Sequence, residues 1–442
     1  MSNIIEINHN PAWMVLRNAL LGIAGLLLSA LCFPQQTPQL PVAQIPVAQF
    51  PVVQLREAIA RTLADNPALR AEGYLLQAQE ARILQTTVKP APELMVMTEN
   101  LFGSGENDML RGAQTTFSVA WFLEHGVRET RVAAETATLN LLTVDRDVSR
   151  LDAAAATARL YLNCLALQTE MDYAVQAIAQ AEATVVAVTA RVEAGAVPQA
   201  ELARARTDLA QHELAKEDIE HETIAAYHRL AAQWGLTTPD FSRVGGDVMQ
   251  LPTIQDFPLF EARIEQNPDI TRFLSQQRMY ESQLRLAEVS YKSPWRVSAG
   301  VRQLELTGDH AFVADMTIPL ARRDSNRGRL EEARANLART DAEEAAERTR
   351  IRTELYVLYL ELNHYLEVAA ALRNNIIPLN ETALAETQTA YEQGRYNYQE
   401  LSTAQDALLA ARNDLVTQSI EAHRRLIEIE RFTGLTIEAN QP

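Results

Sequence analysis

Side chains able to hold a transition metal are spread thinly along this chain. Histidines at 125, 212, 221, 228, 310 and 364 lie far apart, and only His221 and His228, with Glu222 nearby, share a helical face. A zinc centre needs three or four ligands in a compact set, and no such spacing occurs. Met95, Met97 and Met109 suggest a soft path for copper, but they read first as apolar packing in a wall. Two cysteines, Cys32 and Cys164, make neither a disulfide framework nor a metal knuckle. Cys164 falls in an Ala/Leu stretch and reads as a small buried hydrophobe. No nucleophile motif, phosphate loop or acid–base pair stands out, so no catalysis, cofactor or metal is expected. The formal charge of −17 argues against nucleic acid, which requires a cationic surface, and suits an aqueous conduit that cations tolerate.

A turn recurs instead. Gly195 is followed by five residues and then Glu201-Leu202, and Gly394 by five residues and then Glu400-Leu401, an offset of 394 − 195 = 199. A helix ending in glycine can close through a left-handed cap. Pro198 suits the start of the following helix, and Glu201 or Glu400 in its first turns complements the helix dipole.

The elements that position these turns also come twice. Asn66-Pro67 and Asn267-Pro268 open matching helical stretches, which end at "KPAP" (89–92) and "KSP" (292–294). Two strand-like runs follow in each half, about 93–102 and 115–123 in the first, about 295–306 and 311–320 in the second. Each approximates the ~10 residues with which a tilted strand crosses a bilayer. Trp121, Phe122 and Trp295, at strand ends, suit an interfacial aromatic belt. Long helices come next. Leu141, Val144, Val148, Leu151, Ala155, Ala158, Leu162 and Leu165 alternate steps of three and four, as do Ile351, Leu355, Leu358, Leu362 and Tyr365. One helix from about Glu124 to Arg191 would reach roughly 100 Å. Pro378 must interrupt or kink its helix, whereas Ala179 holds the matching place in the first half. The halves close on "WGLT" (234–237) and "FTGLT" (432–436). The expected organisation is a repeat at 55–240 and a second at 252–437.

At the N-terminus, an arginine precedes an apolar run from Ala19 to Cys32, the order of a secretory signal spanning 1–32. Met14 is a second candidate start, and Cys32 a candidate lipidation site, although Leu31 before it is larger than such sites prefer. Residues 33–54, with "LPVAQIPVAQFPVVQ", read as a Pro-rich extended linker or arm.

Four membrane-length strands cannot close a barrel, because single-chain barrels start at about eight strands. Three copies would supply twelve. In this arrangement, the duplicated helix–strand-pair–helix order, the Gly-x5-Glu-Leu turns and the junction "TIPLARRDSNRGRLEEARANL", the chain resembles the TolC-like outer membrane efflux family. The stretch "NNIIPLNETALAETQTAYEQGRYNYQEL" looks most like the CzcC-type, heavy-metal-efflux branch. The resemblance implies a mainly α protein with a small β part: duplicated coiled-coil hairpins and four membrane strands per chain, contributing to a trimeric 12-stranded barrel and a periplasmic helical tunnel. It further implies an outer-membrane channel, in contact with lipid, fed by an inner-membrane RND-type pump through a periplasmic adaptor. The adaptor would dock at Ala194, Gly195, Ala196, Gln393, Gly394 and Arg395. The closed gate would involve Glu201, Tyr391 and Glu400, with Thr403 standing where a second acid is expected. Drugs are the alternative cargo to divalent metal cations, and a pore-free periplasmic or surface coiled-coil scaffold is the alternative function.

Overall fold

The computed structural model describes residues 51–107, 109–320 and 326–434. The chain divides into residues 1–48 and 49–442, and every described element belongs to the second unit. The leader at 1–32, Cys32, most of the Pro-rich segment, residues 321–325 of the strand-to-helix junction and the end of "FTGLT" lie outside the described residues. The end of the Pro-rich arm is extended: β1 (Val52–Val53) pairs in parallel with β4 (Arg243–Val244).

Each half begins with a helix opened by an Asn-Pro pair, α2 (Pro67–Thr87) and α6 (Pro268–Val289), α2 being preceded by α1 (Leu55–Asp65). The asparagine does two jobs. Asn66 Oδ1 accepts from the backbone N–H of Ala68 and Leu69, while its Nδ2 donates to the carbonyl of Gln233 at 2.8 Å. Asn267 Oδ1 accepts from Asp269 N–H and its Nδ2 donates to the carbonyl of Phe432 at 2.7 Å. Gln233 and Phe432 lie where α4 (Gln199–Ala232) and α9 (Tyr398–Thr433) run out of intrahelical donors. The cap of one helix therefore satisfies an orphan carbonyl of another, once in each half. Gly235 and Gly434, with φ of +82° and +64°, turn the chain away there.

The long helices form where their interiors lack glycine and proline. α3 (Val127–Glu193) runs 67 residues unbroken, roughly 100 Å, through the position of Ala179. It packs on α4 as a hairpin and on α2, α6 and α9. In the second half, α7 (Arg327–Ala371) gives way to a π-helical turn at Leu372–Ile376, and α8 (Ile377–Glu392) follows with Pro378 in its first turn. Proline has no N–H for the carbonyl four residues back and its ring crowds that turn, so the helix widens just upstream. The seam residues are buried as their spacing requires: Leu141, Ala155, Ala158, Leu162 and Leu165 in α3, and Ile351, Leu355, Leu358 and Leu362 in α7. One core gathers Tyr161, Cys164, Leu230, Trp234 and Phe241 around β1 and β4, and a second joins the α7 seam to Ile270, Leu426 and Ile429. Cys164 is fully buried, which pushes its thiol up to about 12 and leaves it an inert packing group.

The strand pairs form one antiparallel sheet in the order β2-β3-β5-β6: β2 (Glu93–Glu99), β3 (Gln114–Leu123), β5 (Trp295–Leu304) and β6 (His310–Thr317). β2 is shorter than its apolar run because Asn100 and Phe102 adopt positive φ, 58° and 56°. β6 stops before the Pro319 that cannot donate to a ladder. An additional helix, α5 (Phe257–Glu261), precedes α6. Among the described residues no helix is long and apolar enough to cross a membrane.

Candidate functional site: the paired helix turns and the two-faced sheet

The glycine turns are equivalent bond for bond. At the end of α3, Ala194 N–H donates to Ala190 O (3.0 Å), Gly195 N–H to Val192 O (2.9 Å) and Ala196 N–H to Arg191 O (2.8 Å). At the end of α8, Gln393 N–H donates to Thr389 O (3.1 Å), Gly394 N–H to Tyr391 O (2.9 Å) and Arg395 N–H to Ala390 O (2.9 Å). This is the six-to-one, five-to-two pattern of a Schellman cap, whose C′ residue must be left-handed. Gly195 and Gly394 meet that demand with φ of +70° and +72°. A Cβ on Gly195 would meet nothing within 4 Å, and one on Gly394 only the Arg191 guanidinium at 3.8 Å. Glycine is needed here for the backbone angle rather than for space.

The restarts differ. Pro198 caps α4 without a side-chain hydrogen bond. Asn397 caps α9 through a reciprocal box: its Oδ1 accepts from Glu400 N–H and the Glu400 carboxylate accepts from Asn397 N–H at 2.6 Å. Glu400, expected at the closed gate, is thus held by its own helix start. The Asn-x-x-Glu spacing at 397–400 carried that signal.

Arg191 joins the two hairpins, a contact the sequence did not suggest. Its guanidinium lies over the Tyr391 ring, 4.2 Å from the centroid, and donates to the Tyr391 carbonyl. The Tyr391 hydroxyl and Glu201 Oε2 are both buried without a hydrogen-bond partner. Burial raises the Tyr391 phenol above its ordinary range; Arg191 pulls it down and Glu201 adds to the rise. Two turns along, Asp208 accepts from the hydroxyls of Tyr398 (2.6 Å) and Ser402 (3.1 Å). Nearby, Asp406 is raised first by burial and further by Asp208, against a downward pull from His212. Tyr391, Tyr398, Leu202 and Leu401 form the small core beneath these groups.

The sheet has two chemically opposite faces. Register and alternation place Leu94, Val96, Phe117, Val119, Val301 and Phe312 on one, together with Trp121 and Trp295. The other carries Thr116, Ser118, Ala120, Arg296, Ser298 and Arg302, with Glu93, Glu99 and Asp315. Two expectations change. Phe122 pairs with Arg296 and lies on the polar face, one residue out of phase with the Trp121 belt. Met95 and Met97 also lie on the polar face, where Met95 Sδ is 3.6 Å from an Arg296 nitrogen, so they are not apolar wall packing. Met109 is exposed in the β2–β3 connection. The histidines are engaged separately: His125 against the Trp295 ring at 4.3 Å, His221 beside Glu217 at 3.9 Å, His228 with the Thr237 carbonyl at 2.8 Å and His364 beside Tyr365.

Two helical hairpins ending in matched turns, joined to an open four-stranded sheet with one apolar and one polar face, define a fold class that combines a small two-faced sheet with long paired helices. Residues 58–236 match the outer membrane efflux protein family. It is similar to the cobalt-zinc-cadmium resistance protein CzcC of Cupriavidus metallidurans, 23% identical over 380 residues that span 86% of this chain and 90% of that protein. Its fold matches the solved structure of CusC (TM-score 0.71, 15% identity, 87% of this chain and 93% of that one). It also matches the outer membrane protein VceC of Vibrio cholerae (TM-score 0.69, 16% identity, 87% and 97%).

Proposed function

We propose that three copies of this chain assemble into an outer-membrane channel that passively exports substrate received from an inner-membrane RND-type pump through a periplasmic adaptor. The observation that carries this reading is the sheet. Its β2 and β6 edges have no partner within the described chain, and its faces differ as lipid and water differ. Open edges are not tolerated in lipid, so the strands must find partners on other copies. Three sheets of four give a twelve-stranded barrel, and residues 55–240 and 252–437 serve as the two repeats of each subunit. Lipid covers the Phe117 and Phe312 face.

The two turns are assigned to the adaptor: Ala194, Gly195 and Ala196 on one hairpin, Gln393, Gly394 and Arg395 on the other. They are open around the glycines and share one backbone geometry, which suits a partner that reads both hairpins alike. Glu201, Tyr391 and Glu400 are assigned to the closed gate, with Arg191 as the clasp between hairpins. Divalent heavy-metal cations are the proposed cargo, on the similarity to CzcC.

The test is made on the full chain in its own membrane. Trimers that migrate intact in unboiled gels, channel conductance in planar bilayers, and sensitivity of a deletion strain to zinc, cobalt or cadmium are expected. A soluble monomer would support the scaffold instead, and sensitivity to antibiotics alone would move the cargo to drugs. Gly394→Glu is expected to reduce adaptor cross-linking at least tenfold, roughly 1.4 kcal/mol, with trimers retained; loss of trimers would make Gly394 a structural residue only.

A further inference from the structure

The polar face of the sheet holds two arginines six residues apart on β5, and their surroundings are unlike. Arg302 is fully engaged: Nη2 lies 3.2 Å from Glu99, Nε donates to Thr116 at 3.0 Å and Nη1 to Gln114 at 3.2 Å. Arg296 is not. It lies 3.9 Å from Glu93 on one side and 3.9 Å from Asp315 on the other, beyond hydrogen-bond length from both, and its short polar contact is the soft Met95 sulfur. Asp315 is itself shared, accepting from the Ser298 hydroxyl at 3.3 Å. Arg296 is therefore balanced by charge at a distance while its N–H groups stay available on the face.

The geometry points to Arg296 as the residue that sets the ion preference of the strand-lined part of the passage. This rests on the channel reading above, in which the polar face lines the lumen. Two guanidiniums stand against three carboxylates on this face, leaving one negative charge in excess per chain. Repeated three times around a pore, the excess favours cations weakly, because fixed charges at a narrow wall raise the local concentration of the opposite ion. Arg302 is masked by its partners and contributes little. Arg296 holds the balance. Remove it, and Glu93 and Asp315 face the passage uncompensated; remove those two acids, and a threefold ring of unmasked guanidinium takes their place.

The experiment measures the reversal potential of purified trimers in planar bilayers under a potassium chloride gradient, comparing wild type with Arg296→Gln and with the double variant Glu93→Gln/Asp315→Asn. Arg296→Gln is expected to raise the potassium-to-chloride permeability ratio about two- to threefold, and the double variant to lower it by a similar factor. Arg296→Lys, which keeps the charge, is expected to keep the wild-type ratio and to show that trimers assemble with this position altered. Conducting trimers whose ratio moves in neither neutralised variant, or moves as far with lysine as with glutamine, overturn the assignment. Absence of conductance in wild-type trimers overturns the channel reading itself.

Discussion

Glu430 occupies a buried position on α9, 2% exposed, in a cavity it shares with Tyr161, Leu165, Asp247 and His423. Burial alone raises its carboxyl to about 7 from an ordinary 4.5, since the charged form loses its hydration. Between those two values the folded chain holds a proton that the unfolded chain releases. Stability therefore falls as pH rises through that window. Glu430→Gln lacks this proton release, so at pH 8 it should be more stable than wild type by about 1–3 kcal/mol, with the difference vanishing near pH 4. Thermal unfolding midpoints of the two proteins at pH 4, 6 and 8 check this. His423, two helical turns away, is lowered by burial, partly offset by hydrogen bonds from its ring to the backbone of Val248 and Gln250 and by Asp247. It opposes charging inside the same cavity from the other side of neutrality. Neither residue stands out in the sequence: each sits in a helix rich in charge, and only packing reveals that its surroundings are dry.

At the scale of elements, the Asn-Pro helix starts and the glycine turns were legible because they depend on local chemistry. An Asn cap, a proline in the first turn and a left-handed glycine are required whatever the chain does elsewhere. The same holds for the break at Pro378, though the form it takes, a π-turn just upstream, was not readable. What could not be read was the second bond of each asparagine, which reaches 167 residues away in one half and 165 in the other. The contact of Arg191 with Tyr391, 200 residues apart, was hidden for the same reason. Periodicity names a buried face, but not the partner that buries it. The misplacement of Phe122 has a different origin: a strand's two faces alternate, so adjacent aromatics cannot both join one belt. Asn267, fully buried, should matter more than the less buried Asn66. Asn267→Ala removes a cap and leaves the Phe432 carbonyl unpaired, at a cost of about 2–3 kcal/mol, and Asn66→Ala about 1–2 kcal/mol. Denaturant midpoints of the two variants against wild type test the order, which the reverse ranking would contradict.

For the whole molecule, the two faces of the sheet decide where a charge is tolerated. Phe312 is 77% exposed on the apolar face, whereas Val313 next to it falls on the polar one. In the proposed channel, Phe312→Arg should cost up to about 2–4 kcal/mol per chain and abolish heat-modifiable trimers, while Val313→Arg should leave them intact. Equal loss in both variants would mean that the apolar face does not meet lipid. The number of strands was readable from alternation and turns, but where β2 and β6 end, and which strands neighbour each other, β3 beside β5, was not. That order brings the two repeats together at the centre of the sheet and leaves one free edge from each repeat outside.

The π-turn before Pro378 makes the two hairpins of one chain mechanically unlike: one rests on an unbroken 67-residue rod, the other on a rod with a widened joint. A threefold assembly would then present six ends that alternate in stiffness around the rim. Any partner built as a ring of identical units would read one backbone geometry at all six turns, yet rest alternately on a firm support and a yielding one.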